Sequence, residues 1–422
     1  MARIDLSEMK YTIQAPEKLL SASILLSASK SISNRVLILN ALSQSIFPVK
    51  NLSDSDDTKV MLNAFSNNKY EINIGAAGTA MRFLTAYLSQ IEGKEHIITG
   101  TERMKNRPIK ILVDALQKLG ADIDYLEKKG FPPLKIKGGK LAGGSISLSG
   151  SVSSQYISAL MMIAPNMSEE LTLQLEGNVV SQPYINLTRR MLQDFGIDVF
   201  WEENIIRIPP QDFRPVLYQV ENDWSAASYW YEMLALSPYN ISIELAGLYK
   251  DSAQGDAKIA ELFENLSVST EFTESGVRLK KNNAVISKFA YDFVNEPDIA
   301  QTIAVTCCLL NIPFRFTGLQ SLKIKETDRI SALQKELKKL GYLVSVCEDS
   351  IMEWKGAYCA AHENPVIDTY EDHRMAMAFA PAALALGKII INEPQVVSKS
   401  YPNYWEDLKK AGFDIIKWQS SK

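Results

Sequence analysis

One pattern recurs along this chain and limits what it can fold into. An amphipathic helix stops at a glycine and gives way to a strand of alternating apolar residues. It is read as Ile111 to Leu119, Gly120, then Ala121 to Tyr125, and again as Met191 to Phe195, Gly196, then Ile197 to Phe200. It returns as Ile330 to Leu340, Gly341, then Tyr342 to Val346, and as Tyr404 to Ala411, Gly412, then Phe413 to Ile416. Weaker copies without the glycine lie at Val60 to Phe65 and Ile259 to Leu266. Ile330, Leu333, Leu337 and Leu340 fall on one face of a 3.6-residue period, and the glycine suits the left-handed C-cap. Most copies return roughly every seventy residues, the signature of a repeated supersecondary unit. Six copies predict two similar α/β domains of three helix–strand units each.

Composition narrows the function. The chain has 422 residues, length for two or three domains, with 46% hydrophobic and 22% charged residues. A net charge of −4 argues against a broad nucleic-acid footprint, so any anionic ligand must be caught by local cations. Cys307, Cys308, Cys347 and Cys359 make no metal-ligand spacing, and His96, His362 and His373 are scattered, so no metal site is expected. The first residues lead into no signal-peptide core, and the apolar run Ile303 to Leu310 is too short to span a bilayer. The expectation is a reduced, cytoplasmic protein with no membrane partner.

The polar motifs lie between the repeats, nearly all at helix starts. A helix N-terminus attracts anions through its free N–H groups and its dipole. Lys325-Glu326-Thr327-Asp328-Arg329 opens the third clear copy, two cations with an acid between them; its simpler reading is a solvated start capped by Thr327. Ser29-Lys30-Ser31 with Arg35 lacks the glycines of a P-loop, and helix capping by Ser31 or Ser33 serves equally. The short strand Ile72-Asn73-Ile74 and the small-residue turn Gly75 to Gly78 bring backbone N–H groups toward an anion or simply turn tightly. Arg103-Met104-Lys105-Asn106-Arg107 is a dense cation cluster, or a solvated basic loop. Ser153-Ser154-Gln155, Ser181 to Tyr184, Asp298, Asp372-His373-Arg374 before an apolar helix Met375 to Leu386, and Lys399 complete the set. Each alone has an ordinary capping or charge-clustering role; together they describe a cleft ringed by helix starts, an anion trap.

In these segments, taken in order, the chain resembles the 5-enolpyruvylshikimate-3-phosphate synthase family of enolpyruvyl transferases. The matching stretches are Ser29-Lys30-Ser31 with Arg35, Gly78 to Arg82, Arg103 to Lys105, Arg107-Pro108-Ile109, Ser153-Ser154-Gln155, Ser181 with Pro183-Tyr184, Lys325 to Arg329, Asp372 to Met377, and Lys399. The resemblance implies an inside-out α/β barrel in each of two domains, with the active site in the cleft between them. Its crossovers fall near Ser21 and Asn222, giving one domain of residues 1–22 plus 222–422 and another of 23–221. It implies transfer of the enolpyruvyl group of phosphoenolpyruvate to the 5-hydroxyl of shikimate 3-phosphate, by addition and elimination, without cofactor or metal, in a monomer. Two polyanionic substrates account for cations concentrated at helix starts of an acidic protein.

By the same resemblance Lys30, Ser31, Arg35, Ser153, Ser154, Gln155, Ser181, Tyr184, Asp298, Ser321 and Lys325 bind shikimate 3-phosphate. Lys30, Gly78, Arg103, Gln155, Arg329, Arg374 and Lys399 bind phosphoenolpyruvate. Asp298 is the base for the attacking hydroxyl and Glu326 the acid for the methylene carbon, with Lys30 and His373 as helpers. Four departures stand out: Ser27-Ala28 where the family has Pro-Gly, Ala76 for asparagine, Phe83 for proline, and Ser321 for a substrate-binding asparagine. Two alternatives remain at this point. The sister UDP-N-acetylglucosamine enolpyruvyl transferase typically uses a loop cysteine, and no cysteine here lies near Arg103. A non-catalytic shikimate-phosphate-binding homologue has no need of Lys30, Asp298, Glu326 and Arg329 together.

Overall fold

The computed structural model describes residues 9–17, 21–66 and 69–418. The chain divides into two compact units, Met1–Ser27 with Asn222–Lys422, and Ala28–Glu221. Among the described residues, five four-stranded sheets carry one topology. In each, the first two strands are parallel and the third and fourth join antiparallel, as in Gly144–Ser149, Leu171–Glu176, Ile205–Ile208 and Phe200–Glu202. The parallel pair requires a crossover, and the helix Ser154–Ile163 supplies it.

The first unit holds three of these sheets, and the N-terminal segment is threaded into two of them. Lys10–Gln14 lies between Lys388–Asn392 and Asp414–Trp418, closing the last sheet with the first strand of the chain. Ala22–Ile24 pairs in parallel with Ser242–Ala246. The crossover between those two strands contains the whole second unit followed by the helix Trp224–Leu236. Ala22–Ile24 thus belongs to the first unit, which ends at Ser27 before Ala28 opens the second.

The second unit holds the other two sheets. Its third repeat has the helices Lys30–Leu42 and Asp56–Ser66, joined to Gln219 by an isolated parallel bridge at Lys50. The weak copy at Val60 to Phe65 lies in Asp56–Ser66, and the strand that follows, Glu71–Asn73, heads the next sheet.

Burial separates two kinds of helix. The amphipathic helices that announce the repeats lie second in each unit and end at Gly120, Gly196, Gly341 and Gly412, whose φ values of 100°, 80°, 98° and 101° demand glycine. The other kind, in these repeats and in the two weaker copies, is a helix buried nearly all round that comes first. In the first unit these are Trp224–Leu236, Ala300–Leu309 and His373–Phe379; in the second, Lys30–Leu42, Gly78–Leu88 and Ser154–Ile163. Ala300–Leu309 packs on both of its counterparts, and the three in the second unit pack on one another. The sheets cover them with one face, as the alternating burial of Leu171–Glu176 shows. Helices inside and sheets outside is the inside-out arrangement. The expected helix Met375 to Leu386 is divided: Pro381 interrupts it with a turn of 3₁₀ helix before Ala383–Leu386.

Candidate active site

The N-termini of the buried helices carry the motifs. In the first unit Asp298 sits in the single turn Pro297–Ile299 that leads into Ala300–Leu309. Asp372 caps His373–Phe379, its carboxylate accepting from the Arg374 N–H at 2.9 Å. Arg329 opens the helix Arg329–Lys339, capped by Asp328 rather than Thr327: Asp328 Oδ1 accepts from Ser331 N at 3.1 Å.

These elements converge on one guanidinium. Arg329, 2% exposed, donates from Nε to Asp372 Oδ2 at 2.6 Å, from Nη1 to Asp298 Oδ1 at 2.9 Å and from Nη2 to Glu326 Oε2 at 2.9 Å. Burial opposes its charge, but Asp372, Glu326 and Asp298 outweigh that, and its pKa is raised. Asp298 in turn receives three cations, with Arg374 Nη2 at 3.2 Å and Lys325 Nζ at 3.5 Å besides Arg329. Arg374 Nη1 donates to the Asp298 carbonyl at 3.0 Å and Nη2 to Ser225 Oγ at 3.3 Å. Lys399 Nζ reaches the Glu371 carbonyl at 2.7 Å, and buried His373 has Nδ1 3.8 Å from Asp372 Oδ1. Ser321 Oγ is buried and bonds no other described residue, and its turn Gln320–Ile324 packs against the turn of Asp298.

The second unit has a different chemistry. Arg35, also 2% exposed, donates from Nε to Thr188 Oγ1 at 2.7 Å, from Nη1 to the Ser31 carbonyl at 2.9 Å, and from Nη2 to Ser158 Oγ at 3.1 Å and the Tyr184 carbonyl at 3.4 Å. All four acceptors are neutral, and burial pulls its pKa down to about 10. The Phe83 ring faces the Arg35 guanidinium at 5.3 Å. Gln155 Nε2 donates to Thr79 Oγ1 at 3.2 Å, and Ser153 caps Ser154–Ile163. Gly78 leaves room for two guanidinia, since a Cβ there would collide with Arg107 and Arg82. Ser181 holds a left-handed φ of 55° at the start of Gln182–Asp194, backbone strain of the kind that collects at functional sites. Lys30 and Ser31 form the first, half-buried turn of Lys30–Leu42. Arg103 is exposed in the short helix Glu102–Lys105.

Ser225 and Asp256 lie outside the motifs, and other site residues have partners that the motifs do not show. Asp372, fully buried, orients Arg329; Arg82 and Arg107 flank Gly78; Ser225 and Asp256 brace Arg374 from two other segments. An acid at the start of an apolar helix is the one available signal for Asp372; nothing local marks Asp256. Among the described residues no group of three or more His, Cys, Asp or Glu side chains is placed to hold a metal ion. All four cysteines fall in the first unit, and Arg103 in the second.

Arginines and lysines at the starts of helices that the sheets enclose give the described residues an anion-binding character. The model of the family described as EPSP synthase (3-phosphoshikimate 1-carboxyvinyltransferase) matches residues 14–72 and 64–408. A 3-phosphoshikimate 1-carboxyvinyltransferase of Bacteroides fragilis is 57% identical over 96% of this chain and 99% of its own. One from Vibrio atlanticus is 37% identical over 94% and 98%. A solved EPSP synthase of Acinetobacter baumannii shares the fold, with a TM-score of 0.79 over 97% of this chain and 100% of its own at 21% identity. The chain belongs to the EPSP synthase family.

Proposed function

We propose that this protein transfers the carboxyvinyl group of phosphoenolpyruvate to the 5-hydroxyl of shikimate 3-phosphate, releasing phosphate, on the route to chorismate and the aromatic amino acids. The carrying observation is the set of buried arginines at helix starts, Arg35 among neutral acceptors and Arg329 and Arg374 around Asp298, in a chain 57% identical to a 3-phosphoshikimate 1-carboxyvinyltransferase. Two like unit charges 4 Å apart repel by about 4 kcal/mol at an effective dielectric of about 20, so two polyanions need such cations to react. Fixed cations and N–H groups supply that stabilisation without reorganising.

The two compact units are the two domains of the family. The second supplies Lys30, Ser31, Arg35, Ser153, Ser154, Gln155, Ser181 and Tyr184 for shikimate 3-phosphate, and Gly78 and Arg103 for phosphoenolpyruvate. From the first, Ser321 and Lys325 serve shikimate 3-phosphate, and Arg329, Arg374 and Lys399 hold phosphoenolpyruvate. Lys30 and Gln155 touch both. Asp298 takes the proton of the 5-hydroxyl as its oxygen bonds to C2 of phosphoenolpyruvate. Glu326 delivers a proton to C3, giving a tetrahedral adduct. Return of a C3 proton to Glu326 and rupture of the bond from C2 to the phosphate oxygen then release phosphate and restore the vinyl group. Lys30 and His373 assist these transfers.

Among the described residues no helix is long and apolar enough to cross a membrane. Cytoplasmic placement and a monomer are part of the same proposal. Phosphate must appear only when both substrates are present. Release with UDP-N-acetylglucosamine in place of shikimate 3-phosphate, or binding without turnover, would overturn the assignment.

A further inference from the structure

We propose that Asp256 is a positioning residue: through the Ser225 hydroxyl it fixes the Arg374 guanidinium beside Asp298, and so sets the affinity for phosphoenolpyruvate. This rests on the assignment of Arg374 to that substrate. Asp256 lies in the turn Gly255–Lys258, is 5% exposed, and accepts a short hydrogen bond from Ser225 Oγ. Ser225 Oγ in turn accepts from Arg374 Nη2 at 3.3 Å. The contacts to the Asp298 carbonyl and carboxylate hold Arg374 as well.

Asp256 has no capping duty at this helix start. Asp223 already accepts from Ser225 N at 2.8 Å and Ala226 N at 3.3 Å. Gln254 secures the turn, its Oε1 accepting from Trp224 N at 3.2 Å and its Nε2 donating to the Asn222 carbonyl at 2.8 Å. The acid is thus held against a hydroxyl whose other side faces the arginine.

A hydroxyl has one proton and two lone pairs, and an ionised carboxylate only accepts. Ionised Asp256 therefore draws the Ser225 proton toward itself and leaves a lone pair for Arg374. Protonated Asp256 can donate instead; the Ser225 proton then loses the carboxylate that held it in place, and the lone pair is no longer fixed toward Arg374. The charged groups facing Asp256 are Asp298, Arg374 and Asp223. Burial and the two carboxylates push its pKa up to about 7 against the pull of Arg374 and Ser225, so the fixed orientation is lost as pH falls through neutral.

The test is steady-state kinetics of the full chain carrying Asp256→Asn, Ser225→Ala or both. Each single change should raise KM for phosphoenolpyruvate about tenfold, with kcat and KM for shikimate 3-phosphate within about twofold, the loss of one charge-assisted contact. The double variant should be no worse than either single one, because both break the same chain of bonds. The rise in wild-type KM for phosphoenolpyruvate on acidification below about pH 7 should be absent from Asp256→Asn. Unchanged KM in either variant, multiplying effects in the double variant, or equal rises for both substrates would overturn the role of Asp256 alone. An inactive wild-type protein would overturn the functional assignment and this role with it. Should Asp256→Asn fail to fold, Ser225→Ala decides.

Discussion

Glu232 carries the sharpest stability prediction. It is the one acid in the buried helix Trp224–Leu236, is 0% exposed, and neither carboxyl oxygen bonds any other described residue. Burial raises its pKa well above the ordinary carboxylate value, so the folded protein keeps it neutral. The unfolded chain ionises it from about pH 4.3. Because the folded value is the raised one, this contribution is fully present below the unfolded pKa and is lost as pH rises toward the folded pKa. The loss is about 1.4 kcal/mol per pH unit for as long as the folded protein keeps Glu232 protonated. Glu232→Gln keeps the shape and cannot ionise. Near pH 4.5 the two proteins should be of similar stability, and the variant should gain over wild type by that slope as pH rises. Urea unfolding followed by tryptophan fluorescence is suited to the measurement, since Trp224, Trp230, Trp354, Trp405 and Trp418 lie in the same unit as Glu232. Taking the difference between the two proteins removes every other titration. A difference that stays constant from pH 5 to 8 would refute the reasoning.

Three further substitutions separate roles within the site. Glu326→Gln should keep substrate affinities within about threefold and lower kcat about a hundredfold or more, the scale of one general acid; full activity in the same assay would remove Glu326 from the mechanism. Asp372→Ala leaves the buried Arg329 without its closest carboxylate and should cost about 3–5 kcal/mol in urea unfolding, against under about 1 kcal/mol for an exposed pair such as Arg207–Glu202. Ala76→Asn restores an amide to an exposed turn and should lower KM for phosphoenolpyruvate about threefold while leaving that for shikimate 3-phosphate alone; an unchanged value sinks the idea that this departure tunes affinity.

The repeats were legible because their signal is local: a glycine at left-handed φ after a periodic apolar face is written within a dozen residues. The buried helices were less so. Trp224–Leu236 and Ala300–Leu309 are apolar nearly all round and show no amphipathic face, so the amphipathic helices alone announced the pattern. The threading of the N-terminus was hidden because Ala22–Ile24 is a three-residue strand whose partner at Ser242–Ala246 lies beyond an entire unit. Within the site, cations at helix starts could be read directly, whereas their partners could not. Asp372, Ser225 and Asp256 take their meaning from distant residues, and no spacing along the chain encodes that Arg374 meets Ser225. The cap at Asp328 rather than Thr327 is a choice between adjacent competent residues that only the backbone decides.

The central claim is carboxyvinyl transfer, and the fate of the bridging oxygen of phosphoenolpyruvate tests it most directly. Attack at C2 followed by loss of phosphate breaks the C2–O bond, whereas phosphoryl transfer breaks the P–O bond. With a heavy-oxygen label in the bridge and shikimate 3-phosphate as acceptor, mass spectrometry should find all the label in inorganic phosphate and the intact carboxyvinyl group on the acceptor. Label retained in pyruvate, or turnover indifferent to shikimate 3-phosphate, would contradict the account.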